Sequence, residues 1–343
     1  MRRSPRAPAG LLAFLMTMVA LFLVPAPCAA QAAKSVEGNA LTDRVAEAAW
    51  WGDYDELERL YAVARNATEP SAGGAAQLEL FRIGFARIFN GANNDAFYSQ
   101  LDALTGRWAE DHPASSLAQN MYARALYAHA WFLRSGGYSS EVTPQAAAEF
   151  RRYLGLARDV LRKQVDVVKT DTTTNLYLIM IERSEGTSFD TQWAIAQDAL
   201  RKDPKEEAVY YEMVTATLPK WGGNADELEV LVEHALRRTQ ATRGLEMYAR
   251  IYLTAAYEYK GGLFQQTHAD WPKMKQGLRD ILSRHPDSYN LDRFAFAACL
   301  AQDKPTTLEM LDRLGDKRDP AQWGKGVEGV SFFDSCNRWA RSP

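Results

Sequence analysis

Beyond position 40, apolar residues recur three and four positions apart, and strict apolar–polar alternation is scarce. This spacing predicts helices almost throughout. Start signals punctuate the pattern. Asp53 followed by Glu56, and Asn224 followed by Glu227, have the capping-box spacing, in which the first side chain accepts a free backbone N–H and the glutamate reaches back. Thr143-Pro144 places an N-cap before a proline whose missing N–H costs nothing there. Glycine pairs at Gly136-Gly137, Gly222-Gly223 and Gly261-Gly262 follow helical stretches, as helix-ending glycines do.

Three segments share a further shape. One helix ends at a charged residue and a proline (Pro113, Pro204 and Pro286), and an aromatic- and alanine-rich helix follows. The spacings are unequal, so any repeat is degenerate. Short helices joined by short turns predict an all-α fold of stacked helical hairpins, because each pair exposes an apolar face that only its neighbour covers.

Gly52-Asp53-Tyr54-Asp55-Glu56, with Leu57, Tyr61 and Ala64, resembles the turn and second helix of a tetratricopeptide repeat. Ala199-Leu200-Arg201-Lys202-Asp203-Pro204 resembles the end of one. The resemblance implies a tetratricopeptide-like α-α superhelix. Over most of 40–340 the chain resembles the bacterial family called domain of unknown function 4034, through WAEDHPASSLAQ, YAHAWFLRSGG, LPKWGGNADELE and FAFAACLAQDKPTTLEMLDRLGD. The 218–223 segment is the most specific of these. This second resemblance supports the fold and implies no activity.

The first thirty residues read differently. Arg2, Arg3 and Arg6 precede a continuous apolar run over 11–24, then Pro25, Pro27 and small residues. The run is shorter than the roughly 20 residues that span a bilayer, and the arrangement predicts a cleavable Sec-type signal peptide over 1–30. Pro27 before Cys28 argues against a lipoprotein. A flexible linker over 31–40 and one helical domain over 41–340 complete the expected organisation, with no transmembrane segment in the mature chain and a periplasmic or secreted destination. The whole chain carries a formal charge of −3. Removing three arginines leaves a mildly acidic mature protein, which argues against nucleic-acid binding. Cys299 and Cys336 then remain, and an oxidising compartment predicts a disulfide between them, against the alternative of two buried thiols.

Candidate chemistry is sparse. The histidines His112, His129, His234, His268 and His285 lack the spacing of a zinc protease site, and no G-x-S-x-G elbow occurs. Neither a metal, a cofactor nor a catalytic residue is indicated. The Trp221-Gly222-Gly223 turn has two readings, a binding lip or a helix end plugged by a tryptophan. Tyr210, Tyr211, Tyr248 and Tyr252 fall on helices that start hairpins, where a superhelix presents its concave face to a peptide or a glycan, or packs helix on helix. The leading expectation is an exported protein- or peptide-binding module of the cell envelope. The alternatives are a polymer-acting hydrolase using convergent carboxylates and a structural partner in a secretion or stress system.

Overall fold

A computed structural model describes residues 40–343 other than 91–93, 136–140, 164, 260 and 325. The expected signal peptide, the linker up to residue 39, and Gly136-Gly137 lie outside the described residues. Among the described residues there are α-helices and short 3₁₀ turns but no strand. None of these helices is long and apolar enough to cross a membrane.

The N-terminal unit is α1 (Ala40–Trp51), α2 (Tyr54–Asn66) and α3 (Gln77–Ala86), followed by α4 (Asp95–Asp111) and α5 (Ser116–Arg134). Then come α6 (Pro144–Lys163), α7 (Val165–Val168), α8 (Thr172–Ser184), α9 (Phe189–Lys202), α10 (Ala208–Ala216), α11 (Ala225–Arg243) and α12 (Glu246–Ala256). The chain ends with α13 (Leu263–Gln266), α14 (Trp271–Arg284), α15 (Ser288–Leu300), α16 (Lys304–Leu314) and α17 (Gly326–Arg341). Helices α5, α8, α10, α12 and α15 touch in succession as an inner row, and α6, α9, α11, α14 and α16 each pair with the inner helix before them. The fold is therefore a stack of helical hairpins.

The two rows differ in sequence because they differ in burial. Outer α14 buries one stripe, Met274, Gly277, Leu278, Ile281 and Leu282, the spacing of a single apolar face. Inner α12 buries Met247, Tyr248, Ala249, Ile251, Tyr252 and Leu253 on consecutive sides, as a helix covered all round must. Gly277 lets the two approach, since a Cβ there would fall 2.2 Å from the Leu245 carbonyl oxygen.

The three proline-marked junctions each end one helix and begin an inner or innermost one. His112, Asp203 and His285 are the C-cap residues of α4, α9 and α14, and α5, α10 and α15 follow. Asn224 and Glu227 form a complete capping box on α11. At α2 only half of the device forms: Asp53 accepts the Glu56 N–H at 3.1 Å, while the Glu56 carboxylate turns to Arg44 and Arg59. Cys299 on α15 and Cys336 on α17 have their sulfurs at bonding distance and Cα atoms 6.0 Å apart, within the disulfide range. The pair ties the last helix to the inner row.

Candidate functional site

A buried polar network forms at the start of α8. Asp171, fully buried, caps this helix and accepts hydrogen bonds from the Tyr61 hydroxyl at 2.7 Å, the Ser116 hydroxyl at 2.7 Å and the Thr173 N–H at 2.9 Å. Arg82 on α3 donates to Thr173 Oγ1 at 3.0 Å and grips Glu206 with both Nη atoms. Thr172 also donates to Glu206, at 2.5 Å. Five separate stretches of chain thus meet here, and each buried polar group finds a partner, as low-dielectric surroundings demand.

Next to this network lies a cleft of about 750 Å³, within the usual range of roughly 300–1,000 Å³ for small-ligand pockets. One wall is the end of α2, residues 67–76 and the start of α3. The other wall comes from the ends of α10, α11, α12, α14 and α15. Its lining is strongly charged. Glu246, fully buried, accepts from Arg243 at 2.6 Å and Arg250 at 2.8 Å, with Arg284 3.7 Å away. Burial pushes the Glu246 carboxyl up, but the Arg243 bond and the Arg250 charge outweigh it and hold the group at about 2. Arg243 also bonds Glu207. Arg293 has no carboxylate within ion-pair distance among the described residues; it donates to the Leu253 carbonyl at 3.0 Å and to the Tyr257 hydroxyl.

Glu79 is the exception among the cleft's half-buried and buried glutamates. No hydrogen bond or ion pair reaches its carboxyl among the described residues. Burial pushes it up to about 7; Arg82 and Arg250 oppose the shift, and Glu206 and Glu207 add to it. Glu79 is therefore poised to exchange a proton near neutrality.

Residues 67–70 and 73–76 line one side of the cleft as a strap. His285 donates through Nδ1 to the Ala72 carbonyl at 3.0 Å, since a carbonyl oxygen only accepts, and Asn290 donates to the Gly73 carbonyl at 3.4 Å. Gly74 takes a φ of +87°, and a Cβ there would stand 2.7 Å from Arg250 Nη2 and 3.0 Å from His285 Nε2. Glycine suits this position for its left-handed conformation.

Of the tyrosines singled out in the sequence, only Tyr211 lines the cleft, where its hydroxyl donates to Glu207 at 3.3 Å. Tyr210, Tyr248 and Tyr252 are buried between helices. Tyr210 shares a 2.8 Å hydrogen bond with His234 Nδ1, Tyr248 accepts the Asp270 N–H at 2.8 Å, and Tyr252 donates to Glu229 at 2.5 Å. Trp221 packs edge-on to Trp131 with centroids 5.9 Å apart, beneath the Arg183 guanidinium. Gly222 has a φ of +83°, and a Cβ on Gly223 would sit 2.4 Å from the Thr217 backbone. His129 is buried between Asp102 at 2.6 Å and Asp95 at 3.2 Å, away from the cleft. No group of three His, Cys, Asp or Glu side chains arranged to hold a metal occurs among the described residues.

Glu79, Arg82, Glu206, Glu207, Arg243, Glu246, Arg250 and Arg293 were not visible as a site in the sequence. The one local signal was Asp171-Thr172-Thr173-Thr174-Asn175, a polar run entirely buried at a helix start. What the fold and cleft define is an all-α stack of hairpins enclosing a charged interior pocket. No family model matches this chain, and neither a curated protein nor a solved structure matches it.

Proposed function

We propose that this chain is an exported binding protein of the bacterial cell envelope, related to the domain of unknown function 4034 family, whose cleft holds a polar segment of a polypeptide partner. The observation that carries this reading is the cleft wall itself: ends of successive inner helices deliver Tyr211, Glu246, Arg250 and Arg293 into one pocket. Stacked hairpins typically bind through such a surface, and its mixed charge suits a peptide backbone with polar side chains. The volume suits a short segment rather than a folded domain. Export is supported by the Cys299–Cys336 pair, since disulfides persist in oxidising compartments, together with the Sec-type signal read in residues 1–30.

A photo-crosslinking residue at position 211 of the full chain, expressed in a bacterial envelope, tests the reading. The expected result is a crosslinked polypeptide absent when the same residue stands at exposed position 51. Equal crosslinking at both positions would refute it.

A second reading, hydrolysis within the same cleft, is favoured by Glu79, whose carboxyl near 7 suits a general acid or base. It predicts turnover of a bound polymer that Glu79→Gln abolishes while binding persists.

A further inference from the structure

The arginines of the cleft are unevenly partnered. On the wall built by α11, α12, α14 and α15, Arg243, Arg250 and Arg284 pair with Glu246, Arg243 pairs also with Glu207 from the turn before α10, and Arg293 pairs with no carboxylate among the described residues. Arg250 bonds Glu246 only through Nε, and its buried Nη2 has no acceptor among the described residues. Among the described residues, Arg293 bonds only neutral oxygens. A buried guanidinium N–H without an acceptor is costly, and an oxyanion is the partner its geometry suits best.

We infer that this arginine wall is a subsite for an oxyanion, with Arg250 and Arg293 as its anchors and residues 72–74 as its cover. The inference rests on the peptide-binding reading for one source of that oxyanion, the C-terminal carboxylate of a bound peptide; free phosphate is the other source with the same chemistry. Gly74 lies directly over Arg250 Nη2, and the strap is held to α14 and α15 by the His285 and Asn290 hydrogen bonds, the second a long one.

Glu79 sets the pH at which the subsite fills. The groups facing it are Arg82 on its own helix, Glu206 and Glu207 from the turn before α10, Tyr211 on α10 and Arg250 on α12. When neutral, Glu79 removes one negative charge from the cleft and adds an O–H donor. When ionised, it adds a negative charge to the cleft that opposes the ligand electrostatically. Binding of the oxyanion therefore takes up a proton and weakens above neutral pH.

The test uses the full mature chain and isothermal titration calorimetry with three probes: a degenerate tetrapeptide pool with free carboxyl ends, the same pool amidated at the C-terminus, and inorganic phosphate. The free-acid pool is expected to bind about tenfold more tightly than the amide, the worth of a charge-assisted contact. Arg250→Gln removes that difference, and a matching far-ultraviolet spectrum shows that the variant is folded. Affinity falls several-fold between pH 6 and pH 8 in the wild type but not in Glu79→Gln. Phosphate binding that is lost in Arg250→Gln, with no binding of either pool, keeps the subsite and overturns the peptide reading. Equal binding of acid and amide pools overturns the subsite and leaves the peptide reading standing. Binding of none of the three overturns the subsite.

Discussion

Arg82 and Glu206, 124 residues apart in sequence, meet as a two-pronged buried ion pair, with Nη1–Oε1 at 3.0 Å and Nη2–Oε2 at 2.7 Å. The pair fastens α3 to the turn before α10, so it joins the N-terminal unit to the stack and sets one edge of the cleft. Arg82→Met leaves the Glu206 carboxylate buried with no cation, held only by its Thr172 and Ala208 N–H bonds. A loss of roughly 3–5 kcal/mol is expected, the usual effect of stranding one partner of a buried pair. Urea unfolding checks it, and a loss below about 1 kcal/mol would show the pair to be dispensable.

Acid stability follows from the same groups. The Glu206 carboxyl is held below its ordinary value, with Arg82 outweighing the upward effect of burial, and Glu246 lies at about 2. Depressed folded-state values mean that their stabilisation is complete above the unfolded value of about 4.3 and is lost as pH falls toward 2. Acid unfolding in that window is expected, and Glu246→Gln should flatten the slope there. Thermal melts from pH 5 to pH 2 measure both.

Glu79 acts with the opposite sign. Its folded value of about 7 lies above its ordinary 4.5, so the group is neutral in both states at pH 4 and destabilises the folded state increasingly as pH rises toward 7. Glu79→Gln should be near neutral for stability at pH 4 and stabilising by roughly 1–3 kcal/mol at pH 8. Denaturant melts at the two pH values provide the comparison; an equal effect at both would mean that the folded value of Glu79 is not raised.

The two glycines after Trp221 separate conformation from packing. Gly222 has a positive φ with open space around its Cβ direction, whereas Gly223 faces the Thr217 backbone. Gly222→Ala should cost about 1 kcal/mol for the left-handed backbone, and Gly223→Ala about 2–3 kcal/mol because backbone atoms must shift. Trp221→Ala should lower the melting temperature as well, through the lost contacts with Trp131 and Arg183. Ligand binding lost at unchanged stability would instead make this turn a binding lip.

The Cys299–Cys336 pair closes a loop with a sequence separation of 37. Denatured, unreduced protein should show no reactive thiol at Cys299 or Cys336, and reduction should cost on the order of 3 kcal/mol in the chain-entropy account. Titratable thiols at both positions in the unreduced protein would refute the pairing.

Helix positions, their caps and the proline junctions were legible because each is decided within a few residues. Met274, Gly277, Leu278 and Ile281 mark one buried face by spacing alone, and Asn224 with Glu227 declares a helix start whatever lies nearby. The tyrosines show the limit of that logic. Tyr210 and Tyr211 are adjacent on one helix, yet one is enclosed against His234 and the other faces the cleft, a difference of about 100° around the axis whose meaning depends on what packs there.

By itself, then, the sequence determined an all-α chain of capped, amphipathic hairpins and the pairing expected of two cysteines, since short-range periodicity and backbone capping suffice for these. Tertiary structure alone decided the site. Glu79, Glu206, Arg250 and Arg293 come from four distant stretches, and only the stacking of inner helices and the strap to His285 bring them together. Their charges acquire meaning from that burial and proximity, because desolvation and Coulomb energy depend on distances in space that no spacing along the chain encodes.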